Sequence, residues 1–259
     1  MPRKARVKSK TNIYHVMWRG ANGQEIFHDD EDSIKFLDTI NKYTQRLGMK
    51  IFAWCLMTNH AHLLMKEGTE DISITMKRIG VSFVSYYNWK YRITGHLYQD
   101  RFKSENVETT KYLLTVTRYI HQNPVKAGLT KKAHEWKWSS CNGYYGESIY
   151  PENMLDDTFI LKMFSNEIAT VREVFKKFNE TRNNDQCLDI ETSGRKKLTD
   201  EEARIQIKEL LGAIEIPQVK SLPRLKRDEV LRQVKQIKGL SQRQAARILG
   251  ISSNLIFKA

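Results

Sequence analysis

TNHAHLLM, residues Thr58 to Met65, is the stretch that decides how this chain folds. Together with MKIFAWCLM just before it (49–57), the apolar HAHLLMK run reads as one or two strands. Side chains two apart on a strand share a face. His60, His62 and Leu64 therefore point one way, and Ala61, Leu63 and Met65 point the other. The alanine side can pack against helices. The histidine side must find partners for two imidazoles or face water. A divalent cation satisfies both rings at once. The spacing alone does not demand one, and by itself it favours solvent-facing or hydrogen-bonded histidines.

Outward from this stretch, helices and strands alternate. NIYHVMWRG (12–20) is β-rich and stops at the turn signal GANG (20–23). Residues 29–48 predict a helix with acids at its start and Gly48 at its end; Phe36, Leu37, Ile40, Tyr43 and Leu47 form its apolar stripe. Residues 71–92 predict a second helix, basic and aromatic, and residues 95–108 a loop and strand. Residues 109–123 predict a third helix, capped by Thr109 or Thr110 and stopped by Pro124. The order β, α, β-rich, α, β, α points to an α+β fold. A single ferredoxin-like antiparallel sheet with helices on one face fits it best.

The chain has 259 residues, enough for one large domain or two small ones. No apolar run approaches the roughly 18 residues that would span a membrane. The basic start MPRKARVKSK lacks an apolar stretch of signal-peptide type after it, so a cytoplasmic protein is expected. Cys55, Cys141 and Cys187 are far apart and form no CxxC, which argues against a disulfide framework and a cysteine-built zinc site.

Net charge is +13, which favours a polyanionic partner, most commonly nucleic acid. The charge is blocked: net +9 over 1–150, −4 over 151–194 and +8 over 195–259. Two basic units joined by an acidic connector are expected. We divide the chain into 1–150, a helical connector and linker at 151–197, and a helical domain at 198–259.

In RYIHQNP (118–124), Tyr119 and Asn123 are four apart and share one helix face. If that face looks toward the histidine strand, Asn123 offers an oxygen ligand and Tyr119 a hydroxyl beside the metal. Tyr112, Val116 and Tyr119 also make an ordinary core stripe, and Asn123 also suits a helix end.

Five ordered motifs carry a family resemblance: YHVMWRG (14–20), AWCLMTNHAHLLM (53–65), GHLYQDRFK (95–103), RYIHQNPVKAGL (118–129) and WKWSS (136–140). Over roughly residues 8–146 the chain resembles the single-tyrosine transposases of the HUH superfamily, and within them the REP-associated tyrosine transposases. The resemblance implies an antiparallel-sheet domain in which His60 and His62 bind Mg²⁺ or Mn²⁺ and Tyr119 is the nucleophile. Many relatives carry a glutamine one turn after the tyrosine as third ligand; this chain has the shorter Asn123 there.

The implied reaction is a transesterification. Tyr119 attacks a phosphate of single-stranded DNA, forms a 5′-phosphotyrosine link and frees a 3′-hydroxyl, so later strand transfer needs no ATP. The partner implied is single-stranded DNA bearing REP-like hairpins. A phenol of reference pKa about 10 gives little phenolate at neutral pH, so a nearby cation and basic residues would aid attack.

Substrate contacts are expected from Lys77, Arg78, Lys90 and Arg92, interleaved with Phe83, Tyr86, Tyr87, Trp89 and Tyr91, about half of which must be core. Arg101 and Lys103 are further candidates, and the tail Arg3, Lys4, Arg6, Lys8 and Lys10 suits an arm along DNA or plain solubilising charge. His15, His121, Trp136 and Trp138 read as structural.

LSQRQAARILGISSNLIFKA (240–259) reads as a helix-turn-helix, with Gln242 to Leu249, a turn at Gly250 and a second helix from Ser252. Arg243, Arg247 and Lys258 would meet phosphates while Ser253 and Asn254 reach base edges. The block resembles the DNA-binding end of the bacterial replication initiator family; a small helical packing or dimerisation domain is the alternative. The leading reading is a nicking and joining enzyme, bacterial, cytoplasmic and nucleoid-associated, as monomer or homodimer. The rivals are a non-catalytic DNA-binding regulator derived from a transposase, and a hydrolase acting through water.

Overall fold

A computed structural model describes residues 6–164, 168–183, 185–188, 198–237 and 239–259. Its centre is a four-stranded antiparallel sheet of order β2-β3-β1-β4, with β1 Ile13–Arg19, β2 Lys50–Met57, β3 His60–Lys66 and β4 Lys103–Asn106. The apolar stretch around TNHAHLLM is two strands, joined by the turn at Thr58 and Asn59.

Helix α1 (Asp30–Leu47) begins as its acids require: Asp29 caps it, accepting from the Asp32 backbone N–H, and Gly48 ends it at φ 65°. Helix α2 (Ile72–Tyr91) is capped by Asp71. Both cover one sheet face, where Tyr14, Val16, Trp18, Ala61, Leu63 and Met65 pack with Phe36, Leu37, Ile79 and Phe83. Helix α3 (Thr110–Lys126), capped by Thr109, covers the other face.

The expectation of helices on one face is therefore corrected. Strands β2 and β3 are buried almost throughout, on both sides, so both faces need a cover. Pro124 does not stop α3 either. The helix runs on to Lys126, because a proline this near the end forfeits only one ladder bond, to Ile120.

The supposed connector is also different. Short helices α4 (Cys141–Tyr144) and α5 (Asp157–Leu161), with α6 (Ile168–Glu180), complete the α3-side core through Tyr144, Ile160, Leu161, Val171 and Phe175. The polar stretch after α6, expected as a linker, lies along α3 as far as it is described. Arg118 clasps Asp185 at 2.8 and 3.0 Å, and Asn183 donates to Gln122 at 2.8 Å.

Helices α7 (Asp200–Leu211), α8 (Arg224–Val234), α9 (Gln242–Ile248) and α10 (Ser253–Lys258) enclose a separate small core of Ile207, Leu231, Val234, Leu249 and Ile256. Gly250, at φ 65°, makes the turn between α9 and α10, and an added Cβ would meet Gln24 at 2.3 Å. This block docks on the turn after β1. Arg204 of α7 reaches Glu25 and donates to the His28 carbonyl at 3.0 Å.

Candidate active site

The sheet register puts Arg19, Met17 and His15 of β1 on the same face as His60, His62 and Leu64, their cross-strand partners. Leu64 packs in the core that contains Val116, Tyr119 and Ile120. The histidine face is thus the α3 face, as the tyrosine reading requires. The ring centroids of Tyr119 and His62 are 5.8 Å apart, and those of His60 and His62 are 5.0 Å apart.

His62 is fully buried. Its Nδ1 lies 2.9 Å from Nε2 of His15, and its Nε2 is buried with no hydrogen-bond partner among the described residues. Burial, then the neighbours His60 and His15, hold His62 well below the usual imidazole range, so it is neutral. His60, partly exposed, has Nδ1 2.7 Å from Asn59 Oδ1, which makes Nε2 its candidate ligand atom.

Tyr119 is 1% exposed. Its hydroxyl points at the Leu188 carbonyl, 3.5 Å away, and Lys126 Nζ sits 4.5 Å from the ring centroid. Asn123 is buried one turn on, and its amide NH₂ donates back to the Tyr119 carbonyl at 3.3 Å. The short side chain folds onto its own helix rather than extending away from it.

A cation fits this site in one respect that can be checked on the chain itself. An unpartnered buried imidazole nitrogen is costly unless something binds it, and His62 Nε2 is such an atom. Among the described residues no group of three or more His, Cys, Asp and Glu is placed to hold a metal.

The expected DNA contacts divide. Lys77, Arg78, Lys90 and Arg92 lie on α2 or its end, across the sheet from Tyr119, and are not brought to the site. Lys90 is clasped by Asp29, Asp32 and Glu31 at 2.7, 2.9 and 3.1 Å. Burial would lower its pKa, but hydrogen bonds to those carboxylates raise it overall. Arg78 pairs with Glu70 at 2.9 Å. Phe83, Tyr87 and Tyr91 are core, while Trp89 is exposed.

Arg101 and Lys103 do reach the site's rim. With Arg6, Phe102, Ser104 and Leu188 they line a groove of about 560 Å³ along the outer edge of β4. Arg6 is no free arm. It lies 3.7 Å over the Phe102 ring and donates to Ser104 at 3.1 Å, while Lys8 pairs with Asp71 at 3.1 Å. Arg3 and Lys4 lie outside the described residues.

In the C-terminal block Arg243, Ser253 and Asn254 are exposed. Arg247 is instead gripped by both oxygens of Asp200, at 2.5 and 2.6 Å. His121 is structural, bridging Ser140 at 2.9 Å and Asn179 at 3.1 Å. Trp136 donates to the Leu56 carbonyl at 2.8 Å and Trp138 to Asp30 at 3.2 Å, covering the β2 edge. His15 and Leu188 are site residues that sequence reasoning missed. His15 was visible as an inward position on β1, whereas nothing in the sequence signals Leu188.

A ferredoxin-like sheet with a histidine pair on the face covered by a tyrosine helix is the arrangement that the resemblance to single-tyrosine transposases implies. Residues 8–123 match the family described as Transposase IS200 like. A REP-associated tyrosine transposase of Escherichia coli (strain K12) is 27% identical over 110 residues, 42% of this chain and 64% of that protein. A relative from Haemophilus influenzae is 29% identical over 113 residues, 39% of this chain and 64% of its own length. The chain thus spans just under two thirds of either relative. A solved REP-associated tyrosine transposase bound to a REP hairpin is 22% identical, with a TM-score of 0.50 over 58% of this chain and 89% of that one. At that identity the likeness is one of fold.

Proposed function

We propose that this chain is a metal-dependent transposase that cuts and rejoins single-stranded DNA through a 5′-phosphotyrosine link on Tyr119, at hairpin-bearing sequences of the REP kind. The observation that carries this reading is the Tyr119 ring lying against His62, whose buried Nε2 has no partner among the described residues. The family match over residues 8–123 supports it. So does the solved relative of the same fold, which holds a REP hairpin.

His60 and His62 would hold the cation, Mg²⁺ or Mn²⁺, and Asn123 would be the third ligand. When bound, the ion would supply charge stabilisation for the phosphate under attack. Tyr119 supplies the attacking oxygen and gives up its proton. Its Oη–P bond forms as the P–O3′ bond breaks, and the departing 3′-oxygen takes up a proton. Lys126 beside the ring favours the phenolate as it develops. The groove of Arg6, Arg101 and Lys103 holds the strand's phosphates near the site. Arg243, Ser253 and Asn254 contribute a second DNA contact from the helix-turn-helix. The net charge of +13 and the family match over residues 8–123 support our assigning the chain to DNA of the bacterial nucleoid.

A non-catalytic DNA-binding regulator is the second reading. It is favoured by the burial of Tyr119 under Leu188 and by the turned-back Asn123. Incubation with Mn²⁺ and labelled hairpin-bearing single-stranded DNA separates the two. A denaturation-resistant protein–DNA adduct that disappears in Tyr119→Phe is expected. Binding with no cleavage supports the regulator, and cleavage with no adduct a water-using hydrolase.

A further inference from the structure

A third imidazole lies beside the histidine pair and is not used in the reaction above. His15 of β1 is the diagonal neighbour of His62 of β3, and both rings are fully buried. His15 Nε2 is 2.9 Å from His62 Nδ1. Two neutral rings in such contact share one proton. The nitrogens at the far ends, His15 Nδ1 and His62 Nε2, are both buried and unpartnered among the described residues.

The shared proton has two possible owners, and they make His62 two different groups. If His15 donates, His62 carries its own proton on Nε2. That leaves a buried N–H with nothing to bind and no lone pair to offer a cation. If His62 donates from Nδ1, its Nε2 presents a lone pair toward the α3 face, and His15 carries its proton on Nδ1. We propose that His15 is a positioning residue: it accepts the Nδ1–H of His62 and so fixes the tautomer and ring angle in which His62 Nε2 is the ligand atom. The inference rests on the reading of His62 as a metal ligand.

The choice of residue supports this. A buried orphan nitrogen at His15 carries a desolvation penalty that an aliphatic side chain of similar size would avoid. Histidine at this position therefore answers a need other than packing. Metal-bound imidazoles generally give their second N–H to an acceptor that fixes the ring. The His15 ring also meets Tyr119, with centroids 5.9 Å apart, so one side chain braces the ligand and the wall behind the tyrosine.

The test uses the full-length chain with ¹⁵N-labelled histidine. In metal-free protein, long-range ¹H–¹⁵N spectra should show His62 protonated on Nδ1, and His15→Phe should shift it to a mixture containing the Nε2–H form. Mn²⁺ affinity by titration calorimetry should fall roughly ten- to a hundred-fold in His15→Phe. It should recover substantially in His15→Gln, whose amide oxygen can accept the same hydrogen bond. Circular dichroism establishes that the variants are folded. If His15→Phe does not fold, the wild-type spectrum still decides. His62 found as the Nε2–H form overturns the proposal, as does a folded His15→Phe with unchanged Mn²⁺ affinity. Mn²⁺ binding that is indifferent to His62→Ala overturns the metal reading and this proposal with it; an Nδ1–H spectrum beside that result shows that the ligand assignment, and not the hydrogen bond, was at fault.

Discussion

The phenolic oxygen of Tyr119 lies 3.5 Å from the carbonyl oxygen of Leu188, so the polar stretch after α6 passes over the proposed nucleophile. That stretch is held by more than one contact. Asp185 takes a bidentate hold on Arg118, and its carbonyl accepts from Lys126 at 2.9 Å. A phosphate can reach the Tyr119 oxygen only if Leu188 gives way. Hydrogen exchange at residues 185–188 is therefore expected to speed up when hairpin-bearing single-stranded DNA is added to the Tyr119→Phe protein. Unchanged protection with DNA bound would mean that the strand does not approach Tyr119 by this route.

Helix α6 belongs to the sheet's own core, and its removal should be felt there. Phe175 is fully buried and stacks on Tyr144 with centroids 4.4 Å apart. Phe175→Ala is expected to destabilise the sheet domain by about 3–5 kcal/mol. The check is urea unfolding followed by tryptophan fluorescence, which reports on buried Trp18 and Trp54. A transition that stays in place would mean that α6 is an independent connector after all.

Arg204 ties the C-terminal helices to the turn after β1. Its partner Glu25 is 5% exposed. Burial raises the Glu25 pKa and the Arg204 charge pulls it back down; the former dominates. Arg204→Ala strands a buried carboxylate, and a loss of about 3–5 kcal/mol in docking or folding is expected. Adding Glu25→Gln should return much of it. A double-mutant cycle on thermal unfolding measures the coupling, and additive losses would show that the pair contributes nothing.

The cap of α2 carries a pH dependence of known sign. Asp71 accepts the Ser73 N–H at 2.8 Å, and this bond, with the one to Lys8, lowers its pKa. A carboxylate lowered by folding stabilises above its unfolded value of about 3.9, and that contribution is lost as pH falls through the folded value. Asp71→Ala should cost about 1 kcal/mol at pH 7 and progressively less in strong acid. Equal cost at pH 7 and pH 2, measured by urea unfolding, would contradict the charged-cap account.

Much of this molecule could be read from local pattern. The acid-rich start of α1, its end at Gly48, a threonine cap on α3 and the alternation that puts His60 and His62 on one face all follow from period and capping chemistry. The turn at Gly250 was legible for the same reason. The DNA-contact residues were not. Lys90 and Arg247 look like free cations in the sequence, yet each is occupied by carboxylates from other parts of the chain. A charge pattern gives the sign of a surface but not which charges are already paired.

By itself the sequence determined the strands, the helices and the pairing of two histidines on one face, because those depend on neighbours within a few residues. Only the tertiary structure decided that both faces of the sheet are covered and that α6 joins the core. It alone brought His15 into contact with His62 and laid Leu188 across Tyr119. These contacts join residues 47 and 69 positions apart, and such distant neighbours are chosen by how the layers pack, which no local periodicity records.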